Sequence, residues 1–127
     1  MKTVLVVDDD EIVSSVTEAM LEALGYEVLI AHDIPKARHL FQEHQERVSL
    51  IISDYVMPGC SGIKSVQSIR QGREVPIILC TGYGDTIPEM LEQQKEVQGI
   101  LKKPFDLDEL ERLVNHILIF KSDEEIP

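Results

Sequence analysis

The chain has 127 residues, enough for one domain with a real core. Its 23 acidic and 12 basic residues give a formal charge of -11, which argues against non-specific nucleic-acid binding, where phosphates need lysine and arginine. Two cysteines without a histidine cluster exclude a disulfide scaffold and make zinc improbable, and no stretch approaches membrane-spanning length.

Apolar runs at 3–7, 26–31, 48–53, 75–80 and 98–102 predict five strands. Between and after them, helices are predicted near 11–24, 34–46, 62–71, 86–95 and 106–120. The first helix shows Ile12, Val16, Ala19 and Ala23 on one face, and Gly25 stops it. Met90 and Leu91 are the main apolar residues of the fourth, which follows the glycine-bearing loop Gly82–Tyr83–Gly84. The last starts at Asp106 and sets Leu110, Leu113, Val114, Ile117 and Leu118 at helical spacing. Residues 1–120 are expected to form one domain and 121–127 a frayed acidic tail. Strict alternation predicts an α/β fold, a doubly wound parallel sheet of order 2-1-3-4-5 with five helices. Right-handed crossovers put helices on both faces.

The strand ends carry the chemistry. Leu50, Ile51 and Ile52 lead into Asp54, Val4–Val7 into Asp8 and Asp9, and Ile100–Leu101 into Lys102 and Lys103. In the predicted order the first and third strands are neighbours where strand order reverses, the usual place for a ligand. Asp8, Asp9 and Asp54 converge there and repel one another unless a cation intervenes. An oxygen-rich cluster without cysteine or histidine suits Mg²⁺. Lys103 is a second positive charge, preferred over Lys102 because successive strand side chains face opposite ways. Asp54 stands alone before the open loop of Pro58, Gly59 and Gly62, which makes it the expected phosphoryl nucleophile. Thr81 ends the fourth strand and could donate to a phosphoryl oxygen. Asp10 and Glu11 are expected to serve the helix N-terminus. Cys80, Met57 and Phe105 are expected to pack, and Cys60 to be an exposed thiol.

These residues resemble the receiver domain of two-component response regulators. The carriers are Val4–Glu11, Asp54–Gly62 with its Met57–Pro58 pair, Pro76–Thr81, and Leu101–Phe105 with its Lys-Pro-Phe turn. The resemblance implies a flavodoxin-like fold and a cytoplasmic phosphoacceptor rather than a turnover enzyme. A histidine kinase or phosphotransfer protein would supply the phosphoryl group to Asp54. It further implies that Asp9, Asp54 and the Val56 backbone carbonyl bind Mg²⁺ directly and Asp8 partly through water, with Thr81 and Lys103 on the phosphoryl group. A downstream protein would read the face of the fourth helix, fifth strand and fifth helix. The domain is expected as a monomer or weak dimer, without nucleic-acid or membrane contact of its own. Two departures stand out: Ile100 replaces a frequent switching aromatic, and Gly82 a common alanine. Alternatives are an aspartyl phosphatase, disfavoured because residue 56 is Val rather than a second Asp, and a flavin-binding domain, disfavoured by acids where phosphate would sit. A phosphorylation-independent binding module is the remaining one.

Overall fold

A computed structural model describes residues 2–55, 57–59, 63–82 and 97–124. Strand β1 (Thr3–Val7) is buried along its whole length. Leu5 and Val7 enter one apolar core and Val4 and Val6 the other, so both faces of the strand are covered. The remaining elements are α1 (Glu11–Ala23), β2 (Glu27–Ala31), α2 (Ile34–His44), β3 (Val48–Asp54), α3 (Ile63–Gln67), a 3-10 turn at Ser68–Arg70, β4 (Ile77–Thr81), β5 (Gly99–Lys102) and α4 (Leu107–Glu124). All strand pairs are parallel and their order is β2-β1-β3-β4-β5, as the alternation predicts. The fold is flavodoxin-like. Four of the five predicted helices fall among the described residues; the fourth, near 86–95, lies outside them.

The two cores explain the doubly wound form. On one face Leu5, Ile51, Ile77 and Leu79 pack with Phe41 of α2 and Val66 of α3. On the other Val6, Leu50, Ile52 and Ile78 pack with Leu21 of α1 and Leu110 and Val114 of α4. Met57 joins the first core, and Cys80 and Phe105 pack in or against the second, as expected.

Three helix starts, those of α1, α2 and α4, are acid-capped. The Asp10 carboxylate accepts from the Ile12 and Val13 amides at 2.9 and 3.0 Å, Asp33 from Lys36 at 2.8 Å and Asp106 from Glu109 at 2.8 Å. Gly25 lies just past α1 with φ 95°, a left-handed conformation that costs glycine nothing.

Four sequence expectations shift. The predicted apolar face of α1 does not enter the core: Ile12 is 77% exposed and Val16 50%, and Ala19 and Ala23 are exposed as well. Ser14, Thr17 and Leu21 are buried instead. The serine and threonine can be buried because their hydroxyls donate to their own helix, to Glu11 and Val13 carbonyls at 3.1 and 3.0 Å. The third helix tightens into the 3-10 turn after Gln67 and ends at Gln71, which has φ 49°. The fourth strand starts two residues late, after Pro76, which has no amide hydrogen to give a ladder. The last helix continues through Glu124, so Lys121–Glu124 of the predicted tail is helical.

Candidate functional site

Sheet register assembles the site. Val7 pairs with Ser53, so the next residues, Asp8 and Asp54, leave adjacent strands together. Asp54 in turn pairs with Cys80 and Thr81 with Lys102, bringing Thr81 and Lys103 to the same carboxyl edge of the sheet. The Lys103 amide donates to the Thr81 carbonyl at 2.7 Å and extends the ladder by one residue. Lys102 is exposed, whereas Lys103 turns inward, as strand alternation requires. The Lys103–Pro104 peptide bond is cis.

Asp8 and Asp54 are only 4% and 7% exposed, and Thr81 is buried beside them. The Lys103 ammonium donates to Asp8 Oδ2 at 2.9 Å and forms a second ion pair with Asp54 Oδ1. Asp9 is exposed at the rim. One carboxylate oxygen each from Asp8, Asp9 and Asp54 lies within 4.8 Å of the other two. The structure thus brings together Asp8, Asp9, Asp54 and Lys103, with Thr81 on the strand beside Asp54. The predicted Val56 carbonyl lies outside the described residues, as does Cys60.

The cluster lacks positive charge. Burial pushes the Asp54 carboxyl up to about 7; the Lys103 hydrogen bond pulls it down, but Asp8 pushes it up again. Burial works against the Lys103 ammonium, yet its bonds to Asp54 and Asp8 outweigh that and hold its pKa above the usual value. Both directions have one meaning. One ammonium between two buried carboxylates is firmly held, but it does not offset the burial of Asp54, whose carboxyl keeps its proton to a higher pH than an ordinary aspartate. A divalent cation would supply the deficit and displace that proton. Carboxylate oxygens without thiolate or imidazole in the set fit a hard ion such as Mg²⁺. The buried Cys80 thiol, pushed up to about 12 by burial and then by Asp54, stays neutral and takes no part.

Two further features arise only from tertiary placement. His32 follows β2, and its Nδ1 lies 2.9 Å from the Asp8 backbone carbonyl. Beside Lys103, an apolar groove of about 390 Å³ runs between α1 and the turn after β5, lined by Ile12, Val13, Val16, Met20, Pro104 and Phe105. The exposed Ile12 and Val16 of α1 form its outer wall. Ile100 is half-buried against the α2 and α3 core and pairs with Leu79.

The response regulator receiver domain family matches residues 4–115. A probable transcriptional regulator ycf27 from Guillardia theta is 35% identical over 115 residues, covering 91% of this chain and 44% of that protein. The transcriptional regulatory protein CpxR of Escherichia coli K12 is 31% identical over 118 residues, covering 93% of this chain and 50% of its own length. The chain therefore spans about half the length of these curated relatives. Among solved structures, a receiver domain protein from Clostridium thermocellum superposes with a TM-score of 0.85 at 26% identity, covering 96% of this chain and 98% of that one. The chemotaxis protein CheY4 of Vibrio cholerae gives 0.80 at 32% identity, covering 93% and 99%. With matching sequence, topology and acidic strand-end cluster, the chain belongs to the response regulator receiver domain family of two-component systems.

Proposed function

We propose that this chain accepts a phosphoryl group on Asp54 from the phosphohistidine of a histidine kinase or phosphotransfer protein, in a Mg²⁺-dependent reaction. The observation that carries this is the placement of Asp54: a carboxylate at the end of a buried strand, ion-paired to Lys103 and within 4.8 Å of Asp8 and Asp9 oxygens. When bound, Mg²⁺ neutralises charge on the transferring oxygens and favours in-line geometry. Asp9 and Asp54 would hold it directly, with the Val56 carbonyl, and Asp8 partly through water. An Asp54 carboxylate oxygen bonds to phosphorus as the P–N bond breaks, and that bond's electron pair returns to the donor imidazole. Lys103 then turns from Asp54 to a phosphoryl oxygen, and the Thr81 hydroxyl donates to another.

The donor must reach Asp54 over the lip of the site, and the groove along α1 shares Lys103 with it. We assign this groove to the donor protein. The exposed acids Asp9, Asp10 and Glu11 precede Ile12 directly, so the fitting surface is an apolar helix face flanked by lysine or arginine. Output is read by a further protein surface, in keeping with the transcriptional regulators among the relatives. Of the proposed output face, β5 and α4 are among the described residues, and Lys102 on β5 and Ile119 on α4, the latter 49% exposed, reach solvent. The domain, residues 1–120, acts as a cytoplasmic monomer or weak dimer and not as an enzyme turning over an external substrate. Among the described residues no helix is long and apolar enough to cross a membrane.

Intact-mass spectrometry after incubation with acetyl phosphate and Mg²⁺ tests the reading. The expected result is a single phosphoryl adduct in the wild type that requires Mg²⁺ and is lost in Asp54→Asn. An equal adduct in the variant, or none in the wild type, would overturn it.

A further inference from the structure

We infer that His32 is a positioning residue for the acidic cluster, acting on the backbone between Asp8 and Asp9. The inference rests on the proposed Mg²⁺ site. His32 belongs to the loop after β2 and follows Ala31, which pairs with Val7 at the end of β1. The Asp8 amide donates to the Ala31 carbonyl at 3.0 Å, the last rung between the two strands. One residue on, His32 Nδ1 meets the Asp8 carbonyl at 2.9 Å. A carbonyl only accepts, so this bond requires a hydrogen on Nδ1 in whichever charge state the ring holds.

Every polar atom of Asp8 is then engaged. Its amide is held by Ala31, its carbonyl by His32, Oδ1 by the Asp10 amide at 2.9 Å and Oδ2 by Lys103 at 2.9 Å. The His32 bond has a particular consequence. The Asp8 carbonyl lies in the peptide plane that joins Asp8 to Asp9, and the orientation of that plane sets where the Asp9 side chain leaves the chain. Asp8 is anchored at several other points, but the exposed Asp9 carboxylate has no partner among the hydrogen bonds that hold Asp8. Its approach to Asp8 and Asp54 depends on the plane that His32 fixes. Outer hydrogen bonds that orient a metal's ligands contribute measurably to its affinity.

Three variants separate this role from a packing role. His32→Phe keeps ring bulk without a donor, His32→Ala removes both, and His32→Asn offers an amide N–H close to where Nδ1–H stood. Mg²⁺ affinity is read by isothermal titration calorimetry and checked by Mn²⁺ binding in electron paramagnetic resonance, neither of which needs phosphorylation. Thermal unfolding without metal reports the fold. The expected result is about tenfold weaker Mg²⁺ binding for His32→Phe and His32→Ala, and recovery to within about threefold of wild type for His32→Asn. Two results overturn the inference alone: His32→Phe binding Mg²⁺ within about twofold of wild type, or His32→Asn binding no better than His32→Phe. If wild type itself binds no Mg²⁺, the proposed metal site falls and this inference with it.

Discussion

At the scale of single residues, Asp54 holds a charge state that the fold opposes. Its folded pKa is about 7, above the ordinary 3.8, because burial and Asp8 outweigh Lys103. The folded chain therefore binds more protons than the unfolded chain between those values. That contribution to stability is fully present below the unfolded pKa and is lost as pH rises through the folded one. In metal-free buffer, Asp54→Asn should gain stability over wild type as pH goes from 5 to 8. The expected gain is on the order of 1–2 kcal/mol, reduced from the full linkage value because water and Lys103 reach the group. Urea titrations at the two pH values check it; a pH-independent difference would refute the assignment. The residue itself was legible in the sequence, because a charge at the end of Leu50–Ile52 has few structural excuses. Lys103 was legible by strand alternation. His32 was not, because its partner is a backbone atom of another strand, and only the β1–β2 register brings them together.

At the scale of elements, α1 is the informative case. Its apolar period was real, yet the stripe of Ile12 and Val16 faces the groove beside Lys103. Sequence could not reveal this because Ser14 and Thr17 look polar, while their hydroxyls are satisfied within the helix and can be buried. Helix period thus fixes which residues share a face and not which face is covered. As the donor seat, the groove makes a separable prediction. Ile12→Asp and Val16→Asp should slow transfer from any histidine kinase that labels wild type by about tenfold or more, the loss of a central apolar contact. Labelling by acetyl phosphate, too small to need the groove, should stay near wild type. Equal slowing with both donors would mean that the site itself is disturbed, and no slowing with the kinase would remove the groove from donor binding.

At the scale of the whole molecule, the fold places its least favourable charges at one edge of its buried sheet. The sheet is buried on both faces by separate cores, and the Val7–Ser53 register holds the backbones of Asp8 and Asp54 side by side at its carboxyl edge. The chain as a whole adds to the strain, with a formal charge of -11. A divalent cation binding this edge should therefore stabilise the entire fold, by mass action on the native state alone. At about 100 times its dissociation constant, Mg²⁺ should add about 2.7 kcal/mol to unfolding. Sodium chloride at equal ionic strength should add much less, because it screens the general charge without filling the site. Asp9→Asn is the discriminating variant. Asp9 is exposed and outside both cores, so its loss should leave metal-free stability near wild type while removing most of the Mg²⁺ gain. Urea midpoints for both proteins in EDTA, in Mg²⁺ and in matched sodium chloride decide the matter. A Mg²⁺ gain of the same size in Asp9→Asn, or one reproduced by sodium chloride, would show that the cation acts on the surface at large and not on the cluster at the strand ends.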